Sequence, residues 1–225
     1  MNGRARYNPR VADFDARRDG PVIERLAAAL GCELVAQRGE ALGHYVALVA
    51  SWNRKLNLTA ARTPQALAEV LLGDACVLAG TELVPAGARV LDVGSGAGAP
   101  IVPLLLLRPD LSARCLEPLH KRAAFLRNAA ARLGLLSQMS VEQRALDLER
   151  PEVAGTFDLA SSRATFAPER WLAAALGLAP RALVLTASTP PPEPPPGAVL
   201  GATREYVLPF SGAPRRATLY RYLRG

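Results

Sequence analysis

The chain has 225 residues, half of them hydrophobic, with 27 Lys and Arg against 20 Asp and Glu and a formal net charge of +7. That length holds one α/β domain plus an appendage, and the positive balance favours an anionic partner, nucleic acid first. Three cysteines without paired spacing and two well-separated histidines argue against a disulfide frame and against a metal centre. The arginine-bearing start lacks the apolar core of a secretory signal. The longest apolar run, Ile101 to Leu107, is too short to cross a bilayer. The expectation is a cytoplasmic monomer with no membrane attachment.

Residues 1–20 are rich in Arg, Asp and Gly and read as a flexible tail. Over residues 21–85 apolar positions recur at steps of three and four: Ile23, Leu26 and Leu30, then Leu42, Tyr45, Val46, Val49 and Trp52. This period predicts an N-terminal helical cap. Thr63-Pro64 opens its last helix, with Thr63 as N-cap and Pro64 in the first turn.

An α/β pattern occupies residues 86–225. Strands are predicted at 89–93, 113–117, 139–143, 157–161 and 181–187, and helices at 99–107, 119–134 and 167–178. Alternation of this kind implies a mostly parallel sheet covered on both faces. Residues 190–196, Pro-Pro-Pro-Glu-Pro-Pro-Pro, read as a stiff connection between sheet elements, with a proline-recognition ligand as the alternative. Ala198–Leu208 and Ala217–Leu223, joined by a turn at Pro209–Pro214, predict a C-terminal antiparallel hairpin. Such a hairpin on a Rossmann-like parallel sheet separates S-adenosylmethionine-dependent methyltransferases from ordinary dinucleotide folds.

The chemistry concentrates at Val90-Leu91-Asp92-Val93-Gly94-Ser95-Gly96-Ala97-Gly98, an apolar strand that ends in an acid and runs into three alternating glycines. Glycines permit a sharp turn and close approach of a ligand, and the helix that follows offers free N–H groups. A bare strand-to-helix turn and a dinucleotide fingerprint formed by Gly94, Gly96 and Ala99 are the competing readings. Asp92 disfavours a pyrophosphate and suits a ligand with a cationic end. S-adenosylmethionine carries a sulfonium and an ammonium and no phosphate. Glu117 follows at the end of the next strand, about 20 residues or slightly more downstream, where a carboxylate accepts the two ribose hydroxyls. The expected cofactor contacts are therefore Asp92, Gly94, Ser95, Gly96, Gly98, Ala99 and Glu117. Ala145, Leu146 and Asp147 after the third strand are added for the adenine.

Several motifs resemble the bacterial 16S rRNA guanine-N7 methyltransferases of the glucose-inhibited division protein B type. Trp52-Asn53-Arg54-Lys55-Leu56-Asn57-Leu58-Thr59 resembles that family's W-N-x-x-x-N-L-T signature. Leu91 to Gly98 resembles its glycine loop, Leu119 to Arg127 its G-K-R-x-x-F-L-R helix, and Ser162-Arg163-Ala164 its S-R-A motif. The chain departs from the family at Ala99-Pro100-Ile101, where Leu-Pro-Gly is usual, at Asp74, which keeps only the acid of a His-x-x-Asp-Ser element, and at Leu185-Thr186-Ala187, which lacks Lys-Gly.

The resemblance implies a methyltransferase fold, S-adenosylmethionine as cofactor with S-adenosylhomocysteine as product, and 16S rRNA or the small-subunit particle as partner. Arg163 and Asn57 are then the candidate catalytic residues. Arg163 would touch the cofactor carboxylate or the substrate base, against a salt bridge as the alternative. Asn57 and Thr59 would close the pocket from the cap, against local turn hydrogen bonds. Lys121, Arg122 and Arg127, on one amphipathic helix, are the candidate RNA contacts as a basic stripe, against a solvated helix face. A methyltransferase for a small molecule or a protein, and a nucleotide-fold binding protein, are the alternative functions.

Overall fold

The structure is a computed structural model that describes residues 13–222. Most of the expected tail, residues 1–12, lies outside the described residues. Of the remainder, Phe14 is buried in the main hydrophobic core, so part of the expected tail packs against the rest of the fold.

The helices α1 (Gly20–Ala29), α2 (Ala36–Leu56) and α3 (Pro64–Ala79) form the N-terminal helical part. α1 and α2 each bury one stripe at helical spacing, as with Tyr45, Val46 and Val49 on α2, whereas α3 is buried on most of its circumference from Leu67 to Leu78. Thr63 caps α3 by accepting the Ala66 N–H at 3.1 Å, which satisfies one of the helix's first free donors. Asn57 ends α2 in the left-handed conformation, at φ 50°.

Then come β1 (Arg89–Val93), α4 (Ile101–Leu107), β2 (Ser112–Leu116), α5 (His120–Arg132), β3 (Met139–Glu142), β4 (Leu159–Ser162), α6 (Pro168–Leu178) and β5 (Arg181–Thr186). The chain closes with β6 (Ala198–Val207) and β7 (Pro214–Tyr222). The seven strands make one sheet in the order β3-β2-β1-β4-β5-β7-β6. Strands β1 to β5 pair in parallel, and β7 runs antiparallel between β5 and β6. The order reverses at β1, where β2 and β4 lie on its two sides, and a ligand crevice forms at the carboxyl ends of the strands on either side of such a point.

Side chains alternate across the pleat, so the inner strands β1, β2, β4 and β5 feed two cores. Val90, Cys115, Leu159 and Leu183 join α1 to α5 in one core, while Leu91, Val93, Leu116, Ala160 and Val184 join α6 in the other. The same alternation points Asp92, Glu117 and Ser161 toward the helical cap. The first core runs without a break from α1 to β7, so cap and sheet share one apolar interior. Glu69 and Asp74, both buried on α3, extend this joint to the hairpin. Glu69 accepts the backbone N–H groups of Phe210 and Ser211 at 2.6 and 3.2 Å, and Asp74 accepts the Tyr206 hydroxyl at 2.6 Å. At Gly73 a Cβ would come within 2.7 Å of Leu208, which explains the absence of a side chain there.

The proline segment crosses from β5 to β6 and lies back on β7. The Tyr220 hydroxyl donates to the Pro192 carbonyl at 2.6 Å, and Arg216 donates to the Thr189 carbonyl at 2.7 Å. Among the described residues no helix is long and apolar enough to cross a membrane, and no group of His, Cys, Asp and Glu converges to hold a metal ion.

Candidate functional site

The site begins where β1 ends. Asp92 is 2% exposed, and its Oδ1 accepts the Ser161 hydroxyl from neighbouring β4 at 2.6 Å. Burial pushes its carboxyl above the usual range, partly offset by the Ser161 and Ser95 hydrogen bonds and by the charge of Arg163. Ser95 donates its hydroxyl to the Asp92 carbonyl at 3.1 Å, which fixes the first turn of the loop.

Glu117, directly after β2, is also 2% exposed. Its two oxygens accept one backbone N–H each, from Gly96 at 2.8 Å and from Leu119 at 2.9 Å. The carboxylate thus clasps the glycine loop to the end of β2. Each oxygen keeps further lone pairs for another donor.

Three glycines in the loop have positive φ, and they do different work. A Cβ at Gly98 would meet Val102 at 2.6 Å and Leu126 at 3.1 Å, so this glycine lets the loop pack on α4 and α5. At Gly94 the obstacle is the Thr165 side chain, which a Cβ would overlap. At Gly96 a Cβ would meet only the Gly94 carbonyl, at an ordinary contact distance of 3.8 Å, so no clash with the fold requires this glycine. Ala99 is buried behind the loop.

Tyr45 holds the loop from the helical cap. It is fully buried on α2 and donates its hydroxyl to the Ala97 carbonyl at 2.8 Å. Burial also raises its phenol well above the ordinary value, so it stays a neutral donor. The helical period marks Tyr45 as a core residue, and nothing in the sequence links position 45 to position 97.

Arg163, just after β4, lines a cleft of about 400 Å³ with Val70, Asp74, Phe166, Thr186 and Arg215. Its Nη1 donates to the Val70 carbonyl at 2.7 Å and pairs with Asp74 at 3.0 Å. The salt-bridge alternative is therefore present, inside the cleft and not remote from it. Asp74, the acid retained from the cap element, is the partner. Ala164 beside it has a φ of 54°, an uncommon conformation for a residue with a Cβ.

The two family-like motifs in the helices prove to be joined by packing. Trp52 on α2 meets Phe125 on α5 edge to face, with centroids 5.5 Å apart. Asn53 closes the turn after α2, bonding the Thr59 N–H and carbonyl, each at 2.9 Å. Thr59 uses its hydroxyl to accept the Ala61 N–H at 3.2 Å. These are the local turn bonds weighed against a pocket role. Asn57 is exposed at the helix end and lines none of the clefts described here.

After β3, Ala145 and Asp147 are exposed and Leu146 is buried in the core under α6. Asp147 accepts the Glu149 N–H at 2.9 Å, within its own turn. On α5, Lys121 and Arg127 are exposed and Arg122 is half-buried. At about 100° per residue the three point in three directions, so the expected single basic stripe does not form. Among the described residues none of the three has an ion-pair partner.

Residues 38–182 match the family model described as rRNA small subunit methyltransferase G. Proteins named ribosomal RNA small subunit methyltransferase G from Methylibium petroleiphilum, Sorangium cellulosum and Anaeromyxobacter dehalogenans are 36%, 39% and 41% identical over 157, 142 and 153 residues. The alignments cover 68%, 63% and 67% of this chain and 69%, 59% and 68% of those relatives, so the second is spanned over less than two thirds of its length. Among solved structures, a candidate RNA methyltransferase from Pyrococcus horikoshii shares the fold with a TM-score of 0.52 at 17% identity. That match covers 90% of this chain and 98% of that one.

Proposed function

The chain belongs to the rRNA small subunit methyltransferase G family, and we propose that it methylates N7 of a guanine in 16S rRNA, in the cytoplasm, with S-adenosylmethionine as donor. The observation that carries this reading is the pair of buried carboxylates, Asp92 and Glu117, at the ends of adjacent parallel strands on either side of a glycine loop.

The residues present fit that cofactor. Asp92 is a desolvated carboxylate with a hydroxyl as its side-chain hydrogen-bond partner, a setting that a cationic ammonium relieves. Glu117 keeps acceptor capacity for ribose hydroxyls, and Gly96, which no clash with the fold requires, suits close approach of a ligand to backbone. Bound there, S-adenosylmethionine would supply an electrophilic methyl group on its sulfonium.

Guanine N7 carries a lone pair and needs no proton removed, so the protein's task is alignment and electrostatics. Tyr45 and Glu117 fix the glycine loop at two neighbouring points, the Ala97 carbonyl and the Gly96 N–H. Arg163, itself held by Asp74, presents the rest of its guanidinium to the cleft that would receive the base. Cys115 supplies no nucleophile, since it is fully buried in β2 and burial raises its thiol far above the usual value.

The test is methyl transfer by the purified protein to small-subunit RNA, naked and as ribonucleoprotein, with mass mapping of the product. A 7-methylguanine in 16S rRNA is the expected result. Transfer to a different base, or to none, overturns the reading.

A further inference from the structure

Arginines stand at the carboxyl ends of β4 and β5 and along the C-terminal hairpin, and most of them are neutralised. Arg163 pairs with Asp74 at 3.0 Å. Arg216 on β7 pairs with Glu205 at 2.6 Å and also donates to the Thr189 carbonyl. Arg204 on β6 pairs with Glu82 at 3.1 Å. Arg215 differs. Its Nη1 donates to the carbonyl of neighbouring Pro214 at 3.0 Å, and among the described residues no carboxylate pairs with it.

Register explains the difference. Along β7 successive side chains point to opposite faces, so Arg216 meets Glu205 across the strand pair while Arg215 lies opposite Tyr206. The acid that lines the same cleft, Asp74, already holds Arg163 and the Tyr206 hydroxyl. Arg215 is half-buried and lines both the cleft of about 400 Å³ that holds Arg163 and an adjoining one of about 340 Å³. It therefore stands where the two meet, between the Arg163–Asp74 and Arg216–Glu205 pairs. Phe166 and Leu185 give the larger cleft an apolar wall.

We propose that Arg215 binds a phosphate of the RNA substrate at the mouth of this cleft, as a substrate-binding residue contributed by the C-terminal hairpin. The inference rests on the function proposed above. A free guanidinium next to an apolar wall matches a nucleotide, whose base takes the wall and whose phosphate takes the fork. The shared chemistry is an anion, and the cofactor carboxylate is the other source of one.

The experiment compares wild type, Arg215→Ala, Arg215→Lys and Arg216→Ala in binding of a small-subunit rRNA fragment across a salt series. Calorimetry with S-adenosylhomocysteine and a melting curve are taken on the same samples. Arg215→Ala is expected to weaken RNA binding about tenfold and to reduce the slope of log affinity against log salt by roughly 0.7–0.9, with product affinity unchanged. Arg215→Lys should retain the slope and recover part of the affinity, because a lysine keeps the charge and loses the fork. Arg216→Ala, which removes the same formal charge from a neutralised pair, should leave the slope as it is. Unchanged RNA binding in Arg215→Ala overturns the inference, as does an equal loss in Arg216→Ala. Weakened product binding in Arg215→Ala assigns the arginine to the cofactor carboxylate instead and also overturns it. A wild-type chain that binds product but neither binds nor methylates the RNA refutes the functional reading and this inference together. Normal wild-type methylation, with RNA binding in Arg215→Ala equal to wild type, refutes the inference alone.

Discussion

The Tyr45 hydroxyl and the Ala97 carbonyl, 52 positions apart, meet at 2.8 Å and join the helical cap to the glycine loop. Tyr45→Phe removes that donor with little change in shape and leaves a carbonyl without its partner. The expected stability cost is about 1–3 kcal/mol, read as a lower melting temperature. Because the loop loses an anchor, affinity for S-adenosylhomocysteine should fall as well. A variant that melts lower and binds the product normally would make Tyr45 a fold residue without a role at the site.

Asp92→Asn separates binding from stability. The folded carboxyl titrates above the ordinary carboxylate value because it is buried. Between the two values the folded protein holds a proton that the unfolded chain releases, so this group's contribution falls as pH rises through that window. Asparagine has no such penalty and can still accept the Ser161 hydroxyl. The ligand-free variant should therefore melt higher than wild type at neutral pH, and its advantage should shrink below the raised pKa. S-adenosylmethionine should bind about 1–3 kcal/mol more weakly, since a charge-assisted contact is lost. Equal affinities would remove Asp92 from the cofactor site.

Arg163→Ala is expected to affect both turnover and folding. Loss of an orienting group in the cleft should slow single-turnover methyl transfer on the order of a hundredfold. Asp74, with its side chain 7% exposed, also loses its cation, which should cost about 1–3 kcal/mol of stability. The double variant Arg163→Ala with Asp74→Asn removes the orphaned charge. It should regain stability without regaining the rate. Recovery of the rate along with the stability would leave Arg163 a structural ion pair.

Two glycines of the same loop should respond differently. Gly98→Ala places a methyl 2.6 Å from Val102 in a backbone at φ 86°, and should destabilise by about 2–4 kcal/mol. Gly96→Ala, at φ 56° with no clash beside it, should cost about 1–2 kcal/mol from backbone strain. It should nevertheless weaken cofactor binding more than its stability loss explains. Paired melting and calorimetry check both, and a milder effect of Gly98→Ala on folding would contradict the packing role.

Charge changes on α5 provide a last test. Lys121, Arg122 and Arg127 diverge around the helix, so Lys121→Ala and Arg127→Ala should not act as a cooperative pair. Each should change the salt slope of RNA binding by about 0.9 or less, and the double variant by no more than the sum. A loss larger than the sum would restore a shared basic surface on this helix.

Local signals wrote most of the fold into the sequence. Periodicity gave the cap helices, alternation gave the parallel sheet, and the turn residues after β6 gave the hairpin. Each depends on residues a few positions apart, where backbone geometry dictates which side chains share a face. Asp92, Glu117 and the glycine loop were legible for the same reason, because acid, turn and strand end lie close along the chain. Tertiary structure alone decided which groups meet across the fold. Tyr45 with Ala97, Arg163 with Asp74 and Glu69 with the β6–β7 turn are separated by 52, 89 and 141 positions. No short-range pattern encodes such pairs. They arise because buried polar groups must find partners once the shared core has fixed where α2, α3 and the hairpin lie. The freedom of Arg215 was hidden for the same reason, since a charge is free or neutralised only by what stands opposite it in the folded sheet.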